Sequence, residues 1–264
     1  MSSSSALFFA DQVRDRLTAF EPVLLETVGP SASRDRCDTK FLLSHEQLLA
    51  ALDGLHEHYT VLEVGGARLH RYRTLYFDTA GFDLYRRHQR SSRSALKIRS
   101  RHYVDSDRSF FELKRKVGPR RSLKARTETP AIVTELTAAQ GAFIAANAPI
   151  NGECLRPAVW NRFERITLVS KQSRERVTLD LGIQFEWQSG EVRIPGIVVG
   201  ELKQERFDRT SAFFRDMRSI GSRPTGFSKY CVGAALLYPQ LKRNRARHKL
   251  RMLARLAHGN SDAA

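Results

Sequence analysis

Charged residues recur two or four apart in seven stretches of the 264-residue chain. They are Arg36, Asp38 and Lys40; Lys97, Arg99 and Arg101; Glu112, Lys114 and Lys116; Lys124, Arg126 and Glu128; Arg162 and Glu164; Arg176 and Asp180; and Glu201 and Lys203. A period of two is the side-chain repeat of a β-strand, so each set lies on one strand face. Phosphate recognition suits such a set, because Arg forks onto phosphate oxygens and Lys supplies a mobile point charge. Two cations about 5 Å apart at an effective dielectric near 20 repel by roughly 3 kcal/mol. On an open, solvated sheet they would pair with cross-strand carboxylates for a few tenths of a kcal/mol each. Enclosed, they would need a bound polyanion. Twelve of the eighteen residues are Lys or Arg, and that excess favours the enclosed arrangement.

The strands expected to carry these groups are roughly 36–43, 94–104, 108–117, 122–129, 158–169, 175–187 and 196–204, with a further strand at 68–77. Their other faces hold Leu96 and Ile98, Phe111 and Leu113, Phe163 and Ile166, Val177 and Leu179, and Val198 and Leu202. Amphipathic helices can cover them. Phe9, Val13, Leu17, Phe20 and Leu24 predict one helix ending near Gly29-Pro30. Ser44 with Gln47, and Thr137 with Gln140, have capping-box spacing and open two more. Another is expected from Phe207 to Ile220, and a basic helix from about Leu241 to Leu256. Short connections such as "VDSDR" and "VGPRR" argue for antiparallel pairing. The fold class is therefore α+β: an open sheet with one solvated face, or an antiparallel β-barrel with helices packed on the outside. The expected organisation is an amphipathic arm at 1–33, one domain at 34–239, and a basic helix and tail at 240–264.

The formal charge is +16, which points to a polyanionic partner. Cys37, Cys154 and Cys231 are widely spaced and odd in number, so neither a disulfide framework nor a zinc site is expected. There is no secretory leader pattern, no apolar run of membrane-spanning length, no Walker loop and no dinucleotide-binding glycine motif. His45, His56 and His58 read as helix surface.

The ordered segments "RCDTKF" (36–41), "LYFDT" (75–79), "KIRSRHY" (97–103), "FELKRK" (111–116), "LKAR" (123–126), "WNRF" (160–163), "RVTLD" (176–180), "GELK" (200–203) and "FSKY" (227–230) resemble the VTC domain, the polyphosphate polymerase module of the triphosphate tunnel metalloenzyme (CYTH-like) superfamily. The resemblance implies a closed tunnel of antiparallel strands that holds a phosphate chain and a divalent metal, Mn2+ or Mg2+. By motif position, Lys40, Arg99, Arg101, Lys114, Lys124, Arg162, Arg176 and Lys229 match phosphate-contacting catalytic cations, and Glu201 matches the metal-binding carboxylate. Arg36, Lys97, Lys116, Arg126 and Lys203 are expected to bind substrate. Asp38, Glu112, Glu164 and Asp180 share the parity and are further metal candidates. Asp38 stands where the family often has Glu, and Gly226 where some members carry a second lysine.

The implied function is transfer of the γ-phosphate of ATP to a growing polyphosphate chain. The alternatives are a tunnel-type tri- or polyphosphatase, or a non-catalytic binder of polyphosphate or nucleic acid. Arg36 in place of the first carboxylate typical of the hydrolases favours the polymerase. ATP and polyphosphate are the expected partners. Nucleic acid is a weaker expectation. The basic C-terminal helix adds a contact with an anionic membrane or a membrane partner protein, from a cytoplasmic location at the inner face.

Overall fold

The computed structural model describes residues 3–28, 37–90, 95–118 and 122–257; Arg36 lies outside them. In chain order the elements are α1 (Ser3–Leu17), β1 (Pro22–Leu24), β2 (Cys37–Ser44), α2 (His45–Leu55), β3 (Tyr59–Glu63), β4 (His70–Thr79), α3 (Asp83–Arg90), β5 (Leu96–Tyr103), β6 (Arg108–Lys116), β7 (Ser122–Thr129), α4 (Ala138–Asn147), β8 (Leu155–Ser170), β9 (Arg176–Trp187), β10 (Gly190–Arg193), β11 (Ile197–Gln204), α5 (Ala212–Ser219), α6 (Lys229–Leu237) and α7 (Asn244–Ala257).

One antiparallel path runs β2-β11-β9-β8-β4-β5-β6-β7, with β10 beside β9 and β3 beside β8; β1 adds to β3 in parallel. Among the described residues β2 and β7 do not pair, so the sheet is curled and its ladder is open rather than closed into a barrel. The curl brings opposite ends of the path together: Lys114 Nζ of β6 lies 3.4 Å from Asp38 Oδ2 of β2.

The convex face is apolar and helix-clad. Phe41, Leu43, Ile166, Leu168, Val177, Leu179, Val198 and Leu202 pack with α1, α2 and α5. Leu75, Phe77, Ile98, Phe111 and Leu113 pack with Ile144 of α4. Both capping boxes form, Ser44 with Gln47 and Thr137 with Gln140, each satisfying two orphan donors of a helix start. The arm ends earlier than its periodicity suggests. Phe9, Val13, Leu17 and Phe20 are buried, but the helix stops at Leu17, and Leu24 sits in β1, 56% exposed. Likewise α5 starts at Ala212, where Ser211 caps it, and not at Phe207.

The concave face has two halves. One half is apolar, with Leu42, Tyr76, Val159, Ile183, Phe185, Ile197 and Val199, and α6 and α7 pack into it. The expectation that every helix lies outside is therefore corrected. α6 reads KYCVGAALL and is buried on nearly all sides, as a helix without a polar stripe must be. Gly233 permits its close approach: an added Cβ would stand 2.4 Å from Phe185 Cδ1.

The segment before α6 runs along the free edge of β2. Thr225 N donates to Lys40 O (2.7 Å) and Ser222 Oγ to Leu42 O (3.0 Å), so backbone groups of an edge strand are covered. α7 braces this segment by donation from Lys249 Nζ to Thr225 Oγ1. Among the described residues no helix is long and apolar enough to cross a membrane.

Candidate functional site: a charged concave groove

The other half of the concave face is where the charges gather. From β5 come Lys97, Arg99 and Arg101, whose register partners Lys114, Glu112 and Phe110 stand on β6. Lys124 and Arg126 continue the same rungs onto β7, an edge strand on which both are exposed. Across the groove, β2 and β11 set Lys40 beside Glu201 and Asp38 beside Lys203, and β9 adds Arg176 beside Lys203. The period of two thus places cations from strands far apart in sequence around one space.

Ion pairs hold them. Arg99 Nε is 2.6 Å from Glu112 Oε2. Glu201 lies between two lysines, 3.8 Å from Lys40 Nζ and 3.3 Å from Lys203 Nζ. Lys40 also donates to Phe227 O (2.9 Å), and Lys203 to Thr178 Oγ1 (2.7 Å). Arg101 is buried, reaches Thr74 Oγ1 at 3.3 Å and lies over the Tyr72 ring. Arg126 lies over Phe110, and Arg176 donates to Val28 O. Lys116 is half-buried at the strand end.

Burial and like charge show in the protonation states. Burial, with Lys40, Lys114 and Arg99 nearby, pushes Lys97 down to about 7. Burial lowers Lys203 and Lys229 to about 8 against the pull of Glu201 and Asp180, and it lowers Lys114 as well. The carboxylates move the other way despite their own desolvation. Arg99 and Arg101 hold Glu112 at about 2, and Lys203, Lys40 and Lys114 hold Glu201 well below the usual range. Both signs report one condition: a dehydrated space with surplus positive charge.

Strand β8 keeps the period but turns its other parity inward, with Phe163 on the concave side and Ile166 and Leu168 on the convex side. The register shift between Arg162 and Glu164 sets two steps of β8 against three of β9, so the bulge is in β9 beside Gly182 at φ +61, and it is β9 whose parity switches there, Leu181 packing on the convex side and Ile183 on the concave. Arg162 points away from the groove and pairs with Glu186 at 2.9 Å on the exposed side. Glu164 is opposite Arg71 in register and feels Arg14 of the outer helix α1. Both are corrected from groove residues to outward ones. The groove instead receives Arg165, which sequence reasoning missed. Its guanidinium grips Asp180 bidentately, Nε to Oδ1 at 2.5 Å and Nη2 to Oδ2 at 2.8 Å. The signal was present: Ile166 and Leu168 are apolar and outward, so 165 and 167 share the inward parity.

Lys229 reaches the groove from the first turn of α6, donating to Asp180 and sitting 4.2 Å from the Phe163 ring centroid. Asp78 holds that turn in place. Its carboxylate accepts from the backbone of Thr79, Leu84 and Tyr85 and from the Tyr230 hydroxyl, so the "LYFDT" and "FSKY" segments join physically. His88 of α3 is a second residue not foreseen. Burial, with Lys97 and Lys40 close by, lowers it to about 3, leaving a neutral imidazole at the inner end.

The five carboxylates considered for metal do not assemble. Asp38 is with Lys114, Glu112 with Arg99, Asp180 with Arg165 and Lys229, and Glu164 faces outward. Among the described residues no group of three or more His, Cys, Asp or Glu could hold a metal ion. The donor set fits a hard cation that takes one carboxylate, the ionised Glu201, and draws its other oxygens from substrate phosphate and water, as Mg2+ commonly does.

Among solved structures, the chain is similar to a protein from Hippeastrum described as having a dominant triphosphatase activity. Identity is 18% and the TM-score 0.49, over 75% of this chain and 94% of that one. A protein from Bacillus halodurans is 16% identical with a TM-score of 0.45, over 74% and 95%. A Pyrococcus horikoshii protein is 13% identical with a TM-score of 0.44, over 78% and 99%. No curated protein matches the sequence at a significant level. The model of one family, described as the VTC domain, matches residues 35–238. With that match over most of its length, the chain belongs to the VTC domain family.

Proposed function

We propose that the protein is an ATP-dependent polyphosphate polymerase that transfers the γ-phosphate of ATP to the end of a polyphosphate chain lying along the groove. One observation carries this: two facing banks of partly dehydrated cations, Lys97, Arg99, Arg101 and Lys114 on one side and Lys40, Arg165, Lys203 and Lys229 on the other, with lysines lowered to about 7 and 8. Such a surplus is relieved by a flexible anion with charge at every repeat, and the family resemblance supports ATP and polyphosphate. Closure of the curled sheet into a tunnel around that chain belongs to the same proposal.

Phosphoryl transfer asks a protein for in-line positioning and for stabilisation of charge on the transferred group. Arg99, Arg101 and Arg165 clamp phosphate oxygens in fixed planes, and Lys40, Lys114, Lys203 and Lys229 follow the charge as it moves. Glu112 and Asp180 hold the guanidiniums of Arg99 and Arg165 in orientation. The attacking phosphate oxygen is already ionised, so no general base is required. Glu201 would hold Mn2+ or Mg2+, which when bound would neutralise negative charge on the substrate phosphates.

Incubation with ATP, Mn2+ and a short polyphosphate primer is expected to give ADP and longer chains on a gel. Glu201→Gln and Arg165→Gln should each lower the rate by about a hundredfold or more with the melting transition retained. Release of orthophosphate with no chain growth would replace synthesis by hydrolysis. Neither ADP nor orthophosphate would leave a binder.

A further inference from the structure

We infer that a second ligand site lies at the C-terminal end of α6, built to stack a planar heteroaromatic ring and to pair an anionic substituent of that ligand with Arg156. The inference goes beyond the polymerase proposal and does not depend on it. A cavity of about 490 Å³ opens there, walled by Phe82, Trp187 and Tyr238, with Ala158 at its floor and Arg156 and Gln188 among its lining residues. Lys229 is at the opposite end of the same helix, roughly 13 Å away at 1.5 Å per residue, so this cavity is not part of the charged groove.

Four independent features meet at this place. The rings are set in an edge-to-face arrangement, Phe82 against Tyr238 with centroids 4.5 Å apart, which leaves ring surface available to a third aromatic group. Phe82 has φ +56, a backbone conformation that a bulky residue rarely adopts and that concentrates at functional sites. The register between β4 and β8 shifts from Tyr76 opposite Val159 to Phe77 opposite Pro157, which makes Ala158 the extra residue of a bulge. The Ala158 carbonyl accepts the Tyr238 hydroxyl at 2.6 Å, fixing that ring at the cavity wall. Finally, Arg156 is exposed, and its guanidinium makes no ion pair among the described residues.

Aromatic walls take any base through its π-face, a guanidinium forks onto a phosphate or carboxylate, and the Gln188 amide offers both a donor and an acceptor to a ring edge. A nucleoside monophosphate combines these features, and adenosine 5′-monophosphate is the probe. Trp160 and Trp187 are the two tryptophans of the chain, so Trp160→Phe makes Trp187 the sole reporter. The probe should quench its fluorescence saturably, and an equimolar amount of tripolyphosphate should not reverse the quenching. Adenosine without the phosphate should bind about tenfold more weakly, and Arg156→Glu should reduce the monophosphate to the level of adenosine. Calorimetric titration of the unmodified protein repeats the measurement without a variant. Absence of saturable signal at millimolar probe in both assays, displacement by tripolyphosphate, or full affinity in Arg156→Glu would each overturn the site. Tripolyphosphate binding, followed separately, reports on the groove whichever way this result falls.

Discussion

Replacing Gly233 by alanine tests whether α6 seats as closely on β9 as its sequence allows. The added Cβ would lie 2.4 Å from Phe185 Cδ1, 2.8 Å from Cε1 and 2.9 Å from Cγ. Phe185 is fully buried, so the ring cannot swing into solvent, and the helix must lift instead. Overpacking of this kind costs about 1–3 kcal/mol, and a contact this far inside van der Waals distance belongs at the upper end. Exchange of glycine for alanine inside a helix returns about 1 kcal/mol, leaving a net loss of about 2 kcal/mol. For a chain of this size that lowers the melting temperature by about 4–8 °C. Gly141 of α4 is the control, because nothing lies within 4 Å of its added Cβ; Gly141→Ala should melt at or above the parent temperature. Calorimetry of the two variants side by side decides the matter. Phe185→Leu in the Gly233→Ala background should recover part of the loss. If Gly233→Ala were as stable as Gly141→Ala, the described seating of α6 would be wrong, and with it the placement of Lys229.

Lys97 gives a pH prediction with a definite sign. Its folded value of about 7 lies below its ordinary 10.5, so between those pH values the unfolded chain binds the extra proton and stability rises with pH. A bound polyanion favours the charged form, so tripolyphosphate binding takes up a proton and weakens above about pH 7. Calorimetry in two buffers of different ionisation enthalpy, comparing the parent with Lys97→Met, should show less proton uptake in the variant; equal uptake would refute the assignment. Asp78→Asn leaves buried backbone donors facing an amide N–H. It should cost about 2–3 kcal/mol and weaken tripolyphosphate binding, read by thermal melts with and without ligand; loss of stability with unchanged binding would separate Asp78 from Lys229.

The period of two located the groove residues of β2, β5, β6, β7, β9 and β11 because those ladders are regular there. It failed on β8, where Arg162 and Glu164 have the same parity as the convex residues Ile166 and Leu168, so the residue that faces inward is Arg165; charge alone pointed to the wrong face of that strand. Helix α6 escaped notice for another reason. A helix buried on all sides has no apolar stripe, and nine residues with two alanines and a glycine resemble nothing periodic. α3 (DLYRRHQR) is polar apart from Leu84 and Tyr85, and what anchors it is the Asp78 carboxylate in the preceding strand. The strand at 59–63 followed α2 too closely to be read as a separate element. Metal ligation could not be judged from parity, because the candidate carboxylates come one to a strand and Asp38, Glu112 and Asp180 each pair with a different cation.

The helix that fills the apolar half of the concave face gives the groove direction. Its first turn, with the backbone N–H groups after Ser228, points its positive pole at the charged half, and its apolar body keeps water from screening that end. The positive pole and Lys229 of that turn therefore lie at one end of the groove. A linear polyanion lying there would have distinguishable ends, one drawn against the helix and one toward solvent, before any chemistry distinguished them.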